Sequence, residues 1–336
     1  MKILLIGFGS IGKRHLGNLF YLGYTDVDIV TSNAILPEPY ACLTLYQTLK
    51  DALAISTYDT AILCTPTAQH TPAILKLLQA KVYRIYIEKP ISHTLDNLDL
   101  IVSLAGSYPN KVVIGFDLHF DLGLQKIKEL LVQQTIGKII SINAQVGQYL
   151  PDWRPAEDYR QGMSAKVETG GGVMLDLIHE FDYVTWLIGP VTTVAALYKN
   201  SGSLEIVTED IAEVLLQFEN GAIGTIHLDY LQPSLVRNCL ITGAEGTIKW
   251  NLANGSVEWG NQEKEFFTYN YEGFERNERF IQIIKSFLED TPDNRLTNLN
   301  AGIESLQLVI AAKKSSDTQQ FVSMSDLKFS TKSNNL

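Results

Sequence analysis

Residues Lys2 to Gly23 read KILLIGFGSIGKRHLGNLFYLG. A short apolar run of strand type, Lys2 to Ile6, meets the turn GFGSIG directly, and KRHLGNLFYLG continues with helical spacing. Strand, glycine-rich turn and helix in that order are what the pyrophosphate of a dinucleotide requires. Gly7 permits the tight turn, Gly9 lets the backbone approach the phosphates, and Gly12 lets the helix pack close to the sheet. The helix N-terminus then faces the anion. The turn as a whole, Gly7, Phe8, Gly9, Ser10, Ile11 and Gly12, is the first candidate cofactor site.

Further strand-type runs follow at 27–30, 60–64, 82–88 and 112–116, separated by segments of helical spacing, which is the signature of a doubly wound parallel sheet. Just after the second strand an acidic residue selects NAD, whereas an Arg accepts the 2′-phosphate of NADP. Thr31, Ser32 and Asn33 stand there, neither acidic nor basic. Nothing in that triplet repels a phosphate, which tilts the expectation toward NADP, and the cofactor is read as NAD(P). The third strand runs into CTPTAQH, placing Thr65, Pro66 and His70 at a carboxyl end where ligands bind. As the start of a helix, His70 also fits a capping or packing role. The fourth strand ends in Glu88-Lys89-Pro90, and the fifth leads to Asp117, His119 and Phe120.

The 336 residues are enough for two domains, and 46% hydrophobic with 19% charged residues is ordinary globular composition. A net charge of −10 argues against a nucleic-acid partner. No run reaches membrane-span length, and the N-terminal apolar run is too short for a signal peptide. Cys42, Cys64 and Cys239 lie far apart, so they read as buried thiols of a reducing compartment, with no disulfide and no metal site; the expected location is the cytoplasm.

Gly170 to Gly189, GGGVMLDLIHEFDYVTWLIG, reads as three glycines opening into an apolar helix. At about 100° per residue, Asp176, His179, Glu180 and Tyr183 fall on one stripe. Buried charge needs a partner, so the stripe is expected to line a wet pocket, the plainer alternative being an exposed polar edge.

The glycine fingerprint, CTPTAQH, the EKP tripeptide and GGG…D…H…D fall in the order of the Gfo/Idh/MocA oxidoreductases, which this chain resembles from Met1 to about Ser316. The resemblance implies a Rossmann domain, 1–118, and an α/β domain, 119–328, with a large, mostly antiparallel open sheet; 329–336 reads as a loose tail. It implies His179 as acid/base, Lys89 as its electrostatic partner and Asp176 as the group orienting the imidazole. Relatives usually carry an Arg where this chain has His119, and the inositol-type carboxylate lies four residues before the His, not three. Asp176 is thus also a candidate substrate contact, while Asp182 reads as structural.

Between 149 and 172 the pattern is irregular, and loops of that length are usually functional. Tyr149, Trp153 and Tyr159 are suited to stacking on sugar faces, and Arg154 and Arg160 to gripping an anion. Alternatively Asp152, Glu157 and Asp158 neutralise the arginines and Trp153 anchors the loop; for the arginines both readings stand. His119 and Glu180 complete the candidate substrate contacts. Alternating strands from Val191 onward present one face, a natural surface for a homodimer or homotetramer. The activity expected is NAD(P)-dependent hydride transfer at a secondary alcohol or ketone of a sugar, including N-acetylated or nucleotide-linked ones. The alternatives are a non-catalytic NAD(P)-sensing regulator and a glycosidase that recycles its hydride internally.

Overall fold

The computed structural model describes residues 1–33 and 35–327. Its first six strands are β1 (Ile3–Ile6), β2 (Val27–Val30), β3 (Leu45–Tyr46), β4 (Thr60–Leu63), β5 (Arg84–Glu88) and β6 (Lys111–Gly115). Between them run α1 (Ser10–Tyr21), α2 (Leu49–Ile55), α3 (His70–Gln79) and α4 (Leu98–Ala105). The strands pair in parallel in the order β6-β5-β4-β1-β2-β3. Every residue of β1, β2 and β4 is buried, as expected of parallel strands covered on both faces. The one charge among them, Asp28, is compensated by the Tyr58 hydroxyl at 2.7 Å and Lys2 Nζ at 3.0 Å.

The second sheet is built from β7 (Ile139–Gly147), β8 (Val191–Lys199), β9 (Ile211–Phe218), β10 (Ile223–Asp229), β11 (Val236–Gly243), β12 (Gly246–Asn251), β13 (Ser256–Asn261) and β14 (Phe266–Asn270). Its order is β14-β13-β12-β11-β7-β10-β9-β8, antiparallel except for β7 beside β10. Helix α5 (Leu122–Val132) packs on β12 and β13. The glycine-rich stretch at 170–189 forms two helices, α6 (Val173–Asp176) and α7 (His179–Ile188), and α7 packs on β7. Strand β9 alternates strictly between buried and solvent-facing residues, so one sheet face is covered and the other presented. Leu197, Leu215, Ile223 and Leu240 are exposed on these strands.

The chain ends with α8 (Arg276–Leu288), β15 (Thr297–Asn298), α9 (Leu299–Thr318) and β16 (Val322–Ser323). These last elements overturn the simple division at residue 118. The compact units are Met1–Asp117 with Arg276–Ile303, and Leu118–Glu275 with the residues from Glu304 onward. Helix α8 packs on α1 and β5, and β15 pairs antiparallel with β6, so 276–303 completes the nucleotide-type unit. Strand β16 extends the second sheet beside β8. The tail expected at 329–336 lies outside the described residues. Cys64 and Cys239 are buried free thiols, but Cys42 is exposed, in an irregular segment with no core to enter. Among the described residues no helix is long and apolar enough to cross a membrane, and no His, Cys, Asp and Glu cluster could hold a metal ion.

Candidate active-site residues in the two units

In the first unit β1 delivers the chain into the fingerprint turn. Gly7 adopts φ +97°, and a Cβ there would lie 2.7 Å from the Cys64 carbonyl oxygen, so only glycine fits between turn and β4. A Cβ on Gly12 would collide with the Gly7 carbonyl, whereas one on Gly9 would point into open space. The first turn of α1 has no capping side chain and no acidic residue. Its amide groups are therefore available to an anion, and the cradle fits a dinucleotide pyrophosphate. Lys13 lies over the Phe8 ring, 5.6 Å from its centroid. Thr31 is buried, donating its amide to Tyr46 O at 3.0 Å and accepting from the Asn33 amide at 3.1 Å through Oγ1. Ser32 and Asn33 are exposed.

At the carboxyl ends of β4 and β5 two expected cofactor contacts prove to be internal. His70 is 1% exposed, with Nδ1 2.9 Å from Pro90 O and Nε2 2.9 Å from Thr65 O. Glu88 is 8% exposed, its Oε1 2.6 Å from Nε2 of the buried His15. Both carry polar atoms with interior hydrogen-bond partners. Thr65 and Lys89 are half-buried and Pro66 is exposed.

In the second unit the break at Leu177 and Ile178 overturns the single continuous stripe. Asp176 ends α6 and His179 opens α7, so the 100° spacing does not relate them; they are 8% and 7% exposed. The Tyr230 hydroxyl, just beyond β10, donates to Asp176 Oδ2 at 2.6 Å. Burial, with the adjacent Asp176 charge, pushes the Tyr230 hydroxyl well above its ordinary pKa, so it stays a donor. Glu180 is wholly buried and receives Arg237 Nε at 2.9 Å and Nη2 at 3.2 Å, a bidentate pair. Tyr183 is also fully buried, edge-on to Trp250, and its hydroxyl has no hydrogen-bond partner among the described residues.

His119 is likewise an interior residue. It is 3% exposed, lies 2.8 Å from Asp182 Oδ2 and stacks on Trp186. Asp182 is equally buried, with His119 as its partner.

Within the irregular segment Trp153 donates Nε1 to Gln148 O at 3.3 Å and sets its ring edge-on to Tyr230. It anchors the loop beside the Asp176–Tyr230 pair. Arg160 is held by Asp158 at 2.8 Å and Glu205 at 3.1 Å, and the exposed Arg154 lies 3.7 Å from Glu157. Both arginines thus have carboxylate neighbours at the surface. Tyr149 is exposed, and the half-buried Tyr159 accepts the Glu205 amide at 3.4 Å.

Register brings the polar groups of this unit to one end of its sheet. Gly147, the last residue of β7, stands opposite Asp229 on one side and Val236 on the other. Tyr230 and Arg237 follow those residues directly, so the supports of Asp176 and Glu180 flank the same strand end. Sequence reasoning misses Tyr230, whose only signal is a phenol one residue beyond an alternating strand. It misses His15 too, hidden as one polar side chain on the buried face of α1.

A nucleotide-type unit with an anion cradle, followed by a unit with a buried Asp and His at one end of a large sheet, defines a dehydrogenase-like architecture. The chain belongs to the Gfo/Idh/MocA oxidoreductase family. Residues 1–116 match its NAD-binding Rossmann-fold model and residues 124–249 match its C-terminal domain model. The oxidoreductase YrbE of Bacillus subtilis (strain 168) is 28% identical over 66% of this chain, a match spanning 65% of YrbE. Myo-inositol 2-dehydrogenase of Thermotoga maritima is 24% identical over 97% of this chain and 99% of its own length. Among solved structures, the WlbA dehydrogenase of Bordetella pertussis, in complex with NADH and UDP-GlcNAcA, superposes with a TM-score of 0.80 at 21% identity. That match covers 96% of this chain and 97% of WlbA.

Proposed function

We propose that the protein transfers hydride between a nicotinamide cofactor and a secondary alcohol or ketone of a sugar or sugar derivative. The observation that carries this reading is the presence, in one chain, of an anion cradle at Gly7–Gly12 and of the nearly buried Asp176 and His179, Asp176 being held by Tyr230. The relatives act on inositol or were crystallised with a nucleotide-linked amino-sugar acid, which supports a polyhydroxylated ring as substrate, N-acetylated or nucleotide-linked forms included. When bound, the nicotinamide supplies the hydride acceptor or donor. The residues manage the proton: His179 takes it from the hydroxyl during oxidation and returns it during reduction. Lys89 stabilises negative charge developing on the oxygen. Asp176 supplies the charge that favours the protonated imidazole.

Thr31, Ser32 and Asn33 read the ribose end of the cofactor. With no carboxylate among them, NADP is the favoured form. The presented sheet face, with its exposed leucines, supports a homodimer or homotetramer. Light scattering on a sizing column should give at least twice the chain mass, and a monomer alone would remove that proposal.

The test of function is turnover of inositols and nucleotide sugars with NAD and with NADP, by the wild type and by K89A and H179A. Wild-type activity that falls by roughly three orders of magnitude in each variant is expected, the scale of a lost acid/base or electrostatic group. Cofactor affinity should change little in H179A. Undiminished rates in K89A or H179A would reject the electrostatic role of Lys89 or the acid/base role of His179, and a clear preference for NAD would reject the NADP assignment.

A further inference from the structure

Lys89 is tethered on both sides by buried imidazoles from other elements. On its N-terminal side, Glu88 is gripped by His15 of α1 at 2.6 Å. On its C-terminal side, the Pro90 carbonyl lies 2.9 Å from Nδ1 of His70, the first residue of α3. His70 reaches a second segment as well, since its Nε2 lies 2.9 Å from the carbonyl of Thr65, the second residue beyond β4. β4 and β5 are neighbours in the sheet, so one ring joins the segments leaving two adjacent strand ends. Carbonyl oxygens only accept, so both contacts become hydrogen bonds when both ring nitrogens carry protons. Burial holds the imidazole pKa below its ordinary value, only partly opposed by the Thr65 and Pro90 carbonyls and the Glu88 charge, so near neutral pH the ring carries one proton and donates to one carbonyl at a time. A hydrocarbon side chain would fill the same space without facing two carbonyls, so the ring is retained for those contacts.

We infer that His70 is a positioning residue whose two nitrogens do separate work: Nδ1 sets Lys89 through the Pro90 carbonyl, and Nε2 sets the Thr65–Pro66 turn on the cofactor side. The inference rests on the roles proposed above for Lys89 and for that turn. It differs from plain packing in one testable respect, because a packing residue fails as a whole whereas a two-sided tether fails one side at a time.

Asn and Gln separate the halves, since the amide nitrogen of H70N falls near the position of Nδ1 and that of H70Q near Nε2. H70N should keep kcat within about twofold and weaken NADH binding about tenfold. H70Q should do the reverse, keeping NADH affinity and losing about tenfold in kcat; tenfold is the scale of one ordinary net hydrogen bond. NADH dissociation constants are measured by calorimetry without substrate, beside melting curves of the cofactor-free chain. Equal losses of both quantities in both variants would overturn the inference in favour of packing. If the wild type turns over no sugar with either cofactor, the proposed function fails, and the order of NADH affinities, H70Q tighter than H70N, still decides the role of His70. Should either variant fail to fold, ring-nitrogen NMR of the wild type replaces it. A His70 ring proton shielded from solvent exchange supports the tether, and a freely exchanging ring refutes it.

Discussion

Replacing Arg237 by Met should destabilise the second unit more than any surface substitution. Glu180 has no solvent exposure, and Arg237 donates to both its oxygens from Nε and Nη2. Met preserves most of the side-chain length and volume but strands the carboxylate in the interior. Breaking a buried pair from one side costs about 3–5 kcal/mol, because the remaining charge is desolvated without compensation. At roughly 2–4 °C per kcal/mol for a unit of this size, the melting temperature should drop by about 10 °C. Scanning calorimetry at pH 7 measures the drop, and pH supplies an internal control. Protonation relieves a desolvated carboxylate, so the R237M deficit should shrink on acidification. The double variant E180Q/R237M should regain most of the loss at pH 7. An R237M melting temperature within about 2 °C of wild type, or a double variant less stable than R237M, would refute the argument that this is a dehydrated, mutually dependent pair.

Y230F removes the donor to Asp176 and should cost about 1.5–3 kcal/mol, the range for a hydrogen bond to a charged group. Thermal unfolding of Y230F beside the wild type measures the loss; a melting temperature unchanged within about 1 °C would show that the Tyr230–Asp176 bond carries no stability. His227 is raised to about 9, first by its bond to Asp229 and then by Glu213, against the opposing effect of burial. Its folded pKa exceeds the unfolded value, so its contribution is complete below about pH 6.5 and disappears as pH rises through about 9. Glu213 is largely exposed and solvent screens that arm, so the contribution is about 1 kcal/mol. The melting-temperature gap between wild type and H227Q should therefore be present at pH 6 and closed at pH 10; a gap that widens with pH would refute the assignment.

The nucleotide-type fold was legible because its information is local. A four-residue apolar strand, a glycine turn and a helix occupy consecutive residues, and Gly7 and Gly12 are needed within that same turn. The alternating strands of the second sheet announced themselves in the same way. What sequence spacing could not carry was long-range partnership. Periodicity put Asp176, His179 and Glu180 on one stripe by assuming an unbroken helix, but Asp176 finds Tyr230 fifty-four positions away and Glu180 finds Arg237 fifty-seven away. His119, read from the sequence as a substrate contact, has its ring claimed for the interior by Asp182 and Trp186. Local charge was the better guide in the irregular segment, where Asp158 beside Arg160 already foretold the pair that forms.

The return of α8 and β15 to the first unit bears on the order in which the protein can be built. The edge of the first sheet beside β6, and the helix against α1, are supplied by residues synthesised after β7 to β14 of the second sheet. A nascent chain that has just completed β6 therefore holds an unfinished sheet, with that edge of β6 unpaired until Thr297 appears. For the same reason a fragment cut at residue 118 is a poor stand-in for the nucleotide-binding half. A workable one needs 276–303 restored, spliced on through a linker or supplied as a separate peptide.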